Sequence, residues 1–264
     1  MSHAVVLAQP EVHEDLRAPL AALLAREAGL QAYDAKAEIH RLPGLLLWGS
    51  PLPQAQRVAQ AVRRLGLDAK TAPTSAYERF HRKTVHRGGC SKQALHLGGE
   101  RGGVSRFDWE ALRAVSLIRY HAIREARLAP AQDRVTRILL APVVPLPGLR
   151  RMVEARKAML AKKQRIAEAE TYLLDLFLDP PGVALRIDAR RFHYGYLQER
   201  MSERCEANFH MLVSHIAQGA PNARYSPLAL RFLDGDLLDD ATTTDLKQLD
   251  LMNRWLLLAR EAFG

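Results

Sequence analysis

Short apolar runs alternate with helical apolar patterns over the first 73 residues. Residues 4–8 and 45–48 are compact apolar runs, and they predict buried strands. Between them, leucines recur at helical spacing from Leu16 to Leu24, and Gly29 follows where a helix C-cap would place it. The same reasoning predicts two further helices and a closing strand, over residues 33–41, 53–65 and 67–71. The order is β-α-α-β-α-β, which predicts a small α/β sandwich.

The hydrophobic pattern of the second half of the chain predicts strands followed by helices. Residues 172–178 and 183–187 are strand-like and flank an Asp-Pro-Pro-Gly turn, so a hairpin is expected. Alternating aromatic residues suggest another strand at Phe192, Tyr194 and Tyr196. Amphipathic helices are expected over residues 207–217 and 246–263. The prediction is a β-rich α+β domain with C-terminal helices, and an α+β class for the whole chain.

Composition divides the chain into three predicted parts. Residues 74–103 are rich in Arg, Lys, His and Gly, which is typical of a linker or long loop. We therefore expect an α/β domain over residues 1–73, a basic linker over 74–103 and the β-rich domain over 104–264. Residues 149–170 are strongly charged with few apolar positions, and we expect a basic excursion there.

The first domain resembles the C-terminal domain of the ribosomal stalk protein. The two patterns align without a gap from about residue 21 to residue 71, mostly at glycines that end helices and alanines where helices touch. The matching positions are Gly29, Leu30, Ala35, Lys36, Pro43, Gly49, Ala55, Ala61 and Gly66. The resemblance implies the fold. It does not imply binding of translation factors, because residues 21–26 are mostly apolar where the family has a basic surface.

Two further resemblances concern the scaffold. The first domain is similar in fold to the Clp-protease adaptor family, but Gln9-Pro10-Glu11 stands where that family grips a peptide amino terminus. The family's site histidine falls near Pro43. Recognition of N-terminal degradation signals is therefore not implied. The order of strands and helices after residue 104 resembles a bacterial pleckstrin-homology-like barrel.

Positive charge is concentrated in the middle of the chain. Residues 74–170 carry 20 basic and 9 acidic side chains, and the whole chain has a net charge of +9. Such a block can attract nucleic acid or an anionic membrane, although it is also typical of a solvated loop region. The candidate anion-binding residues are Arg150, Arg151, Arg156, Lys157, Lys162 and Lys163. With no long apolar run, no signal-peptide pattern and only two cysteines, we expect a cytoplasmic protein without a transmembrane segment.

Large residues that a small domain need not bury are candidates for contact with a partner. In the first domain these are Tyr33, Trp48 and His40, and aromatic residues are enriched at interface hot spots. Trp48 ends an apolar strand, so it has an alternative role in packing against the neighbouring part of the chain.

The sequence contains no recognised catalytic or phosphate-loop motif, and we expect no cofactor and no enzymatic activity. The imidazoles and thiol of His81, His86, Cys90 and His96 are of the type that zinc prefers. Their spacing matches no standard finger and basic residues surround them, so no metal site is expected. The sequence favours a non-enzymatic protein–protein interaction module, an adaptor or scaffold subunit. The alternative is a nucleic-acid or anionic-membrane binder that uses residues 74–170.

Overall fold

The first six helices and strands occur in the order that the sequence predicts, and their three strands form one sheet. The structure is a computed structural model that describes residues 1–41, 44–99, 102–121 and 170–264. Its first six elements are β1 (His3–Leu7), α1 (Glu14–Ala28), α2 (Ala32–Arg41), β2 (Leu45–Ser50), α3 (Leu52–Arg64) and β3 (Ala69–Pro73). The strands lie in the order β2-β1-β3, and β1 is antiparallel to both neighbours. Helix α1 ends at Gly29, whose φ of 72° is left-handed as the predicted C-cap requires.

The second sheet contains the predicted hairpin. Its strands are β8 (Leu112–His121), β9 (Glu170–Leu178), β10 (Val183–Asp188), β11 (Arg224–Tyr225) and β12 (Thr242–Thr243), together with β4 (His81–Val85). The order is β11-β8-β9-β10-β4, with β12 beside β8. Strands β9 and β10 pair antiparallel across the predicted turn, whereas β4 lies parallel to β10 at the edge. The described residues thus confirm the α+β class.

The stretch predicted as a linker is instead part of the fold. It contains α4 (Ser75–Glu78), β4, β5 (Arg87–Cys90) and β6 (Ala94–Gly98), and β5 and β6 form a three-stranded sheet with β7 (Val104–Asp108). Its apolar residues Val85, Leu95 and Leu97 are buried, while Arg82, Lys83 and Arg87 lie on exposed strand positions. Residues 1–120 and 172–264 form one compact unit, so the predicted boundaries at residues 73 and 103 do not divide it.

Three helices complete the described fold: α5 (Cys205–Gly219), α6 (Pro227–Leu233) and α7 (Leu246–Phe263). Helix α7 has the bounds expected from its apolar spacing, and α5 extends two residues beyond its expected bounds at each end. The strand expected around Phe192, Tyr194 and Tyr196 does not form. A short 3-10 helix begins at Gly195, and Phe192 and Tyr194 are buried because their rings join the core rather than a sheet. Within the described residues, no helix combines the length and apolarity needed to cross a membrane.

Helix α7 covers the second face of the first sheet. Alternate residues of β1 enter two different cores: Val5 and Leu7 pack against α1 and α3, while Ala4 and Val6 pack against α7. The α7 core also contains residues of β8, β9 and β10, so α7 lies between the two sheets. Because both faces of β1 are buried, its sequence is a continuous apolar run rather than an alternating one.

Replacing Ala55 with leucine should lower the free energy of unfolding by about 1–3 kcal/mol, because the extra methylenes overpack a filled site. Ala55 is fully buried in the core that α3 shares with α1 and the first sheet. Ala22→Leu is the matched control, because Ala22 is exposed on α1. Urea denaturation measures both variants. Equal stability of Ala55→Leu and the wild type would contradict the packing described here.

Candidate functional site

One face of α2 presents three side chains to solvent. Tyr33, Lys36 and His40 are exposed, and their spacing of three and four residues places them on one side of the helix. Ala35, which is fully buried, anchors the opposite side in the first core. We call Tyr33, Lys36 and His40 the α2 face. The structure thus brings two of the three predicted partner-binding residues together.

Trp48, the third predicted partner-binding residue, contacts other parts of the fold. Its ring lies edge-on to Tyr77, with ring centroids 6.0 Å apart, and the guanidinium of Arg254 lies 4.6 Å from the Trp48 ring centroid. These contacts join β2 to α4 and α7 and leave Trp48 half-buried. Its alternative role in packing is therefore the one that the structure shows, and Trp48 does not belong to the α2 face.

The histidines and cysteine considered for zinc are spread over three strands and one connection between strands. His81 lies on β4, Cys90 on β5 and His96 on β6, and His86 lies between β4 and β5. In the part of the chain that the structure describes, no three His, Cys, Asp or Glu side chains are close enough to hold a metal ion together. Burial raises the pKa of the Cys90 thiol to about 12, so this sulfur is protonated at neutral pH and is a poor metal ligand or nucleophile.

The six residues predicted to bind anions fall outside the described residues. They are Arg150, Arg151, Arg156, Lys157, Lys162 and Lys163. Several basic residues that the structure does describe belong to a buried ion-pair network or line a cleft. No local sequence pattern predicts either arrangement.

A buried ion-pair network lies between the second sheet and α7. Asp175 on β9 has 0% of its surface exposed, and Arg186, its direct neighbour on β10, donates two hydrogen bonds of 2.7 Å to its two carboxylate oxygens. Asn253 of α7 donates a third hydrogen bond of 2.7 Å. The three donors compensate the buried charge, so the network joins α7 to the sheet through polar contacts as well as apolar ones.

A second carboxylate, Asp250, extends this network towards the surface. It accepts hydrogen bonds from Tyr77, Arg82 and Arg254. Burial alone would raise the pKa of Asp250, but the hydrogen bond from Tyr77 and the charge of Arg254 hold that pKa below its ordinary value. Burial, followed by the hydrogen bond to Asp250, raises the pKa of Tyr77 to about 12. These shifts favour a charged Asp250 and a neutral Tyr77 at physiological pH.

Three arginines from distant parts of the chain surround a cleft of about 280 Å³. Arg79 follows α4, Arg113 lies on β8 and Arg260 lies on α7. A neighbouring recess of about 210 Å³ shares Arg113 and Arg260. We call the larger recess the arginine cleft. Its other lining residues are Ala76, Asp179, Leu257 and Glu261.

Hydrogen bonds hold the arginines of the cleft in place. Arg79 forms an ion pair of 2.9 Å with Asp179, whose backbone carbonyl also accepts a 2.8 Å hydrogen bond from Nε of Arg113. Arg260 donates to the backbone carbonyls of Arg113 and Asn222. No local sequence pattern predicts this site, because Arg113 and Arg260 are 147 residues apart and meet only when α7 packs between the sheets.

No protein-family model, curated protein or solved structure matches this chain.

Proposed function

We propose that this protein is a non-enzymatic protein-binding module, an adaptor or scaffold subunit, and that the α2 face contacts its partner. One observation carries the proposal. All the Trp, Tyr and Phe residues of the chain lie within the described residues, and Tyr33 alone among them is exposed, with 82% of its surface accessible. Every other aromatic ring is buried or half-buried, so the fold has no packing role for Tyr33.

The chemistry of the α2 face suits contact with another protein. Tyrosine combines a large apolar ring with a polar tip, and it is enriched among the residues that dominate interface energies. Lys36 and His40 flank it with polar groups, which resembles the polar rim of an interface around an apolar centre. The resemblance of residues 1–73 to the stalk-protein and Clp-adaptor families supports the same class of function.

The alternative function, binding of nucleic acid or an anionic membrane through residues 74–170, has weaker support. Four of the arginines in its described part are already paired with carboxylates: Arg79 with Asp179, Arg82 with Asp250, Arg106 with Asp108 and Arg119 with Asp239. Paired guanidiniums contribute less to a positive surface potential than free ones. Protein binding is therefore the function that we propose, with a cytoplasmic location.

Tyr33→Ala should weaken capture of the partner while leaving the fold intact. The full chain is used for affinity capture with mass spectrometry, and Met201→Ala is the matched control because Met201 is another large exposed apolar residue outside the α2 face. We expect the free energy of unfolding of both variants to lie within about 0.5 kcal/mol of the wild-type value. Because Tyr33 is expected to be a hot-spot residue, its loss should raise the dissociation constant of the complex with the purified partner roughly 30-fold.

Two outcomes would contradict the proposal. The first is a folded Tyr33→Ala variant that captures the same proteins with unchanged affinity. The second is capture of nucleic acid whose affinity falls steeply with added salt, which is the behaviour of phosphate contacts and would favour the alternative function.

A further inference from the structure

The arginine cleft contains more positive charge than its own carboxylates balance. Arg79 has an ion-pair partner in Asp179. Within the described ranges 1–41, 44–99, 102–121 and 170–264, no carboxylate lies within ion-pair distance of Arg113 or Arg260. Their hydrogen bonds to backbone carbonyls fix the guanidinium positions without neutralising the charges. Two preorganised, unpaired cations therefore line one recess.

Holding these cations together has a physical cost. Burial and then the nearby charge of Arg113 lower the pKa of Arg260, and burial and then the charge of Arg260 lower the pKa of Arg224. Glu261 at the rim of the cleft opposes the effect on Arg260 only in part. Neighbouring cations that are partly removed from water repel one another, and a bound anion would relieve that repulsion. A perturbed pKa with a specific charged neighbour, in a residue that lines a cleft, marks a candidate functional site.

We propose that the arginine cleft is a binding site for a phosphate group, present either as inorganic phosphate or as a small phosphomonoester. A phosphate group carries a charge of about −1.5 to −2 at neutral pH, which matches the two unpaired guanidiniums. Guanidinium also binds phosphate oxygens through two parallel hydrogen bonds.

The size of the cleft sets the size of the ligand. Its volume of about 280 Å³ lies just below the range for small-molecule sites, which is roughly 300–1,000 Å³. The lining is mainly charged, with only Ala76 and Leu257 as apolar residues. The cleft therefore fits a phosphate group with little attached to it, and it lacks the apolar surface that a nucleoside or lipid tail would need.

Isothermal titration calorimetry on the full chain tests this proposal, with inorganic phosphate, glycerol 3-phosphate and sodium acetate as probes at constant ionic strength. We expect saturable 1:1 binding of phosphate. Arg113→Gln and Arg260→Gln should each weaken it about tenfold or more, because each removes charge-assisted hydrogen bonds. Arg26→Gln is the matched control, because Arg26 is an exposed arginine on α1 that does not line the cleft.

The outcomes separate the possible ligands. Tighter binding of glycerol 3-phosphate than of inorganic phosphate identifies a phosphomonoester, and the reverse identifies free phosphate. Because Arg260 also bonds two backbone carbonyls, Arg260→Lys is included; it keeps the charge but loses the planar fork, so a folded Lys variant with weakened binding supports the site. Acetate binding as tight as phosphate, no saturation up to roughly 10 mM, or unchanged affinity in both Gln variants would overturn the proposal.

Discussion

Replacing Arg186 with methionine should lower the free energy of unfolding by about 3–5 kcal/mol, the cost of leaving a buried charge without its partner. Asp175 is inaccessible to solvent, and Arg186 supplies two of the three short hydrogen bonds to its carboxylate. Arg82 lies 3.8 Å from the same carboxylate and is too far to replace them. Guanidinium chloride denaturation, followed by circular dichroism, measures the loss.

A matched control and a double variant isolate the cause. Arg106→Met removes an arginine from an exposed pair with Asp108 on β7, and it should change stability by less than about 1 kcal/mol. In the double variant Asp175→Leu/Arg186→Met no buried charge remains, so much of the stability should return. If Arg186→Met costs no more than Arg106→Met, the carboxylate of Asp175 is not held as a buried ion in the folded protein.

Replacing Trp255 with alanine should lower the free energy of unfolding by about 3–5 kcal/mol. We expect both sheets to be destabilised together. Only 3% of the Trp255 surface is exposed, and its indole Nε1 donates a 3.0 Å hydrogen bond to the carbonyl of Leu7 on β1. Gly44 lies directly against the ring: a Cβ at this position would be 2.7 Å from the indole nitrogen. The guanidinium of Arg224 lies 5.1 Å from the ring centroid. One residue of α7 therefore fills a junction that joins the first sheet to the rest of the molecule.

The measurement is chemical denaturation followed by far-ultraviolet circular dichroism and by tryptophan fluorescence, to which Trp48 and Trp109 contribute in both proteins and Trp255 in the wild type alone. We expect coincident transitions in the wild type, as two-state unfolding requires, and a common shift in the variant. Leu246→Ala is the control on the same helix, because Leu246 is exposed at its first turn. Two separate transitions, only one of which shifts, would show that residues 1–73 unfold as an independent domain.

The elements that sequence analysis predicted well are those whose pattern is local. Helix α7 shows its apolar positions at helical spacing, and the hairpin of β9 and β10 is marked by a turn of four typical residues. Strand β4 has no such pattern: residues 81–84 are exposed and polar, and they form a strand only because β10, a hundred residues later, provides a parallel edge. For this reason the local sequence pattern indicates a linker here and not a strand.

The candidate sites also differ in this respect: some follow from local spacing and others from contacts between distant residues. Exposure of Tyr33 and His40 follows from their positions on a helix whose buried side is set by Ala35, and the sequence predicted it. Packing of Trp48 depends on Tyr77 and Arg254, and the arginine cleft depends on α7 reaching α4 and β8. Contacts between residues so far apart leave no spacing rule in the sequence, because only the tertiary structure brings them together.

The position of α7 also has a consequence for synthesis on the ribosome. Ala4, Val6, Leu45 and Ala72 become buried only when α7 packs against the first sheet. At a translation rate of about 5–20 residues per second, the ribosome needs roughly 10–30 s to add residues 74–245. During that interval the nascent chain presents an uncovered apolar sheet face, which is the kind of surface that holding chaperones bind.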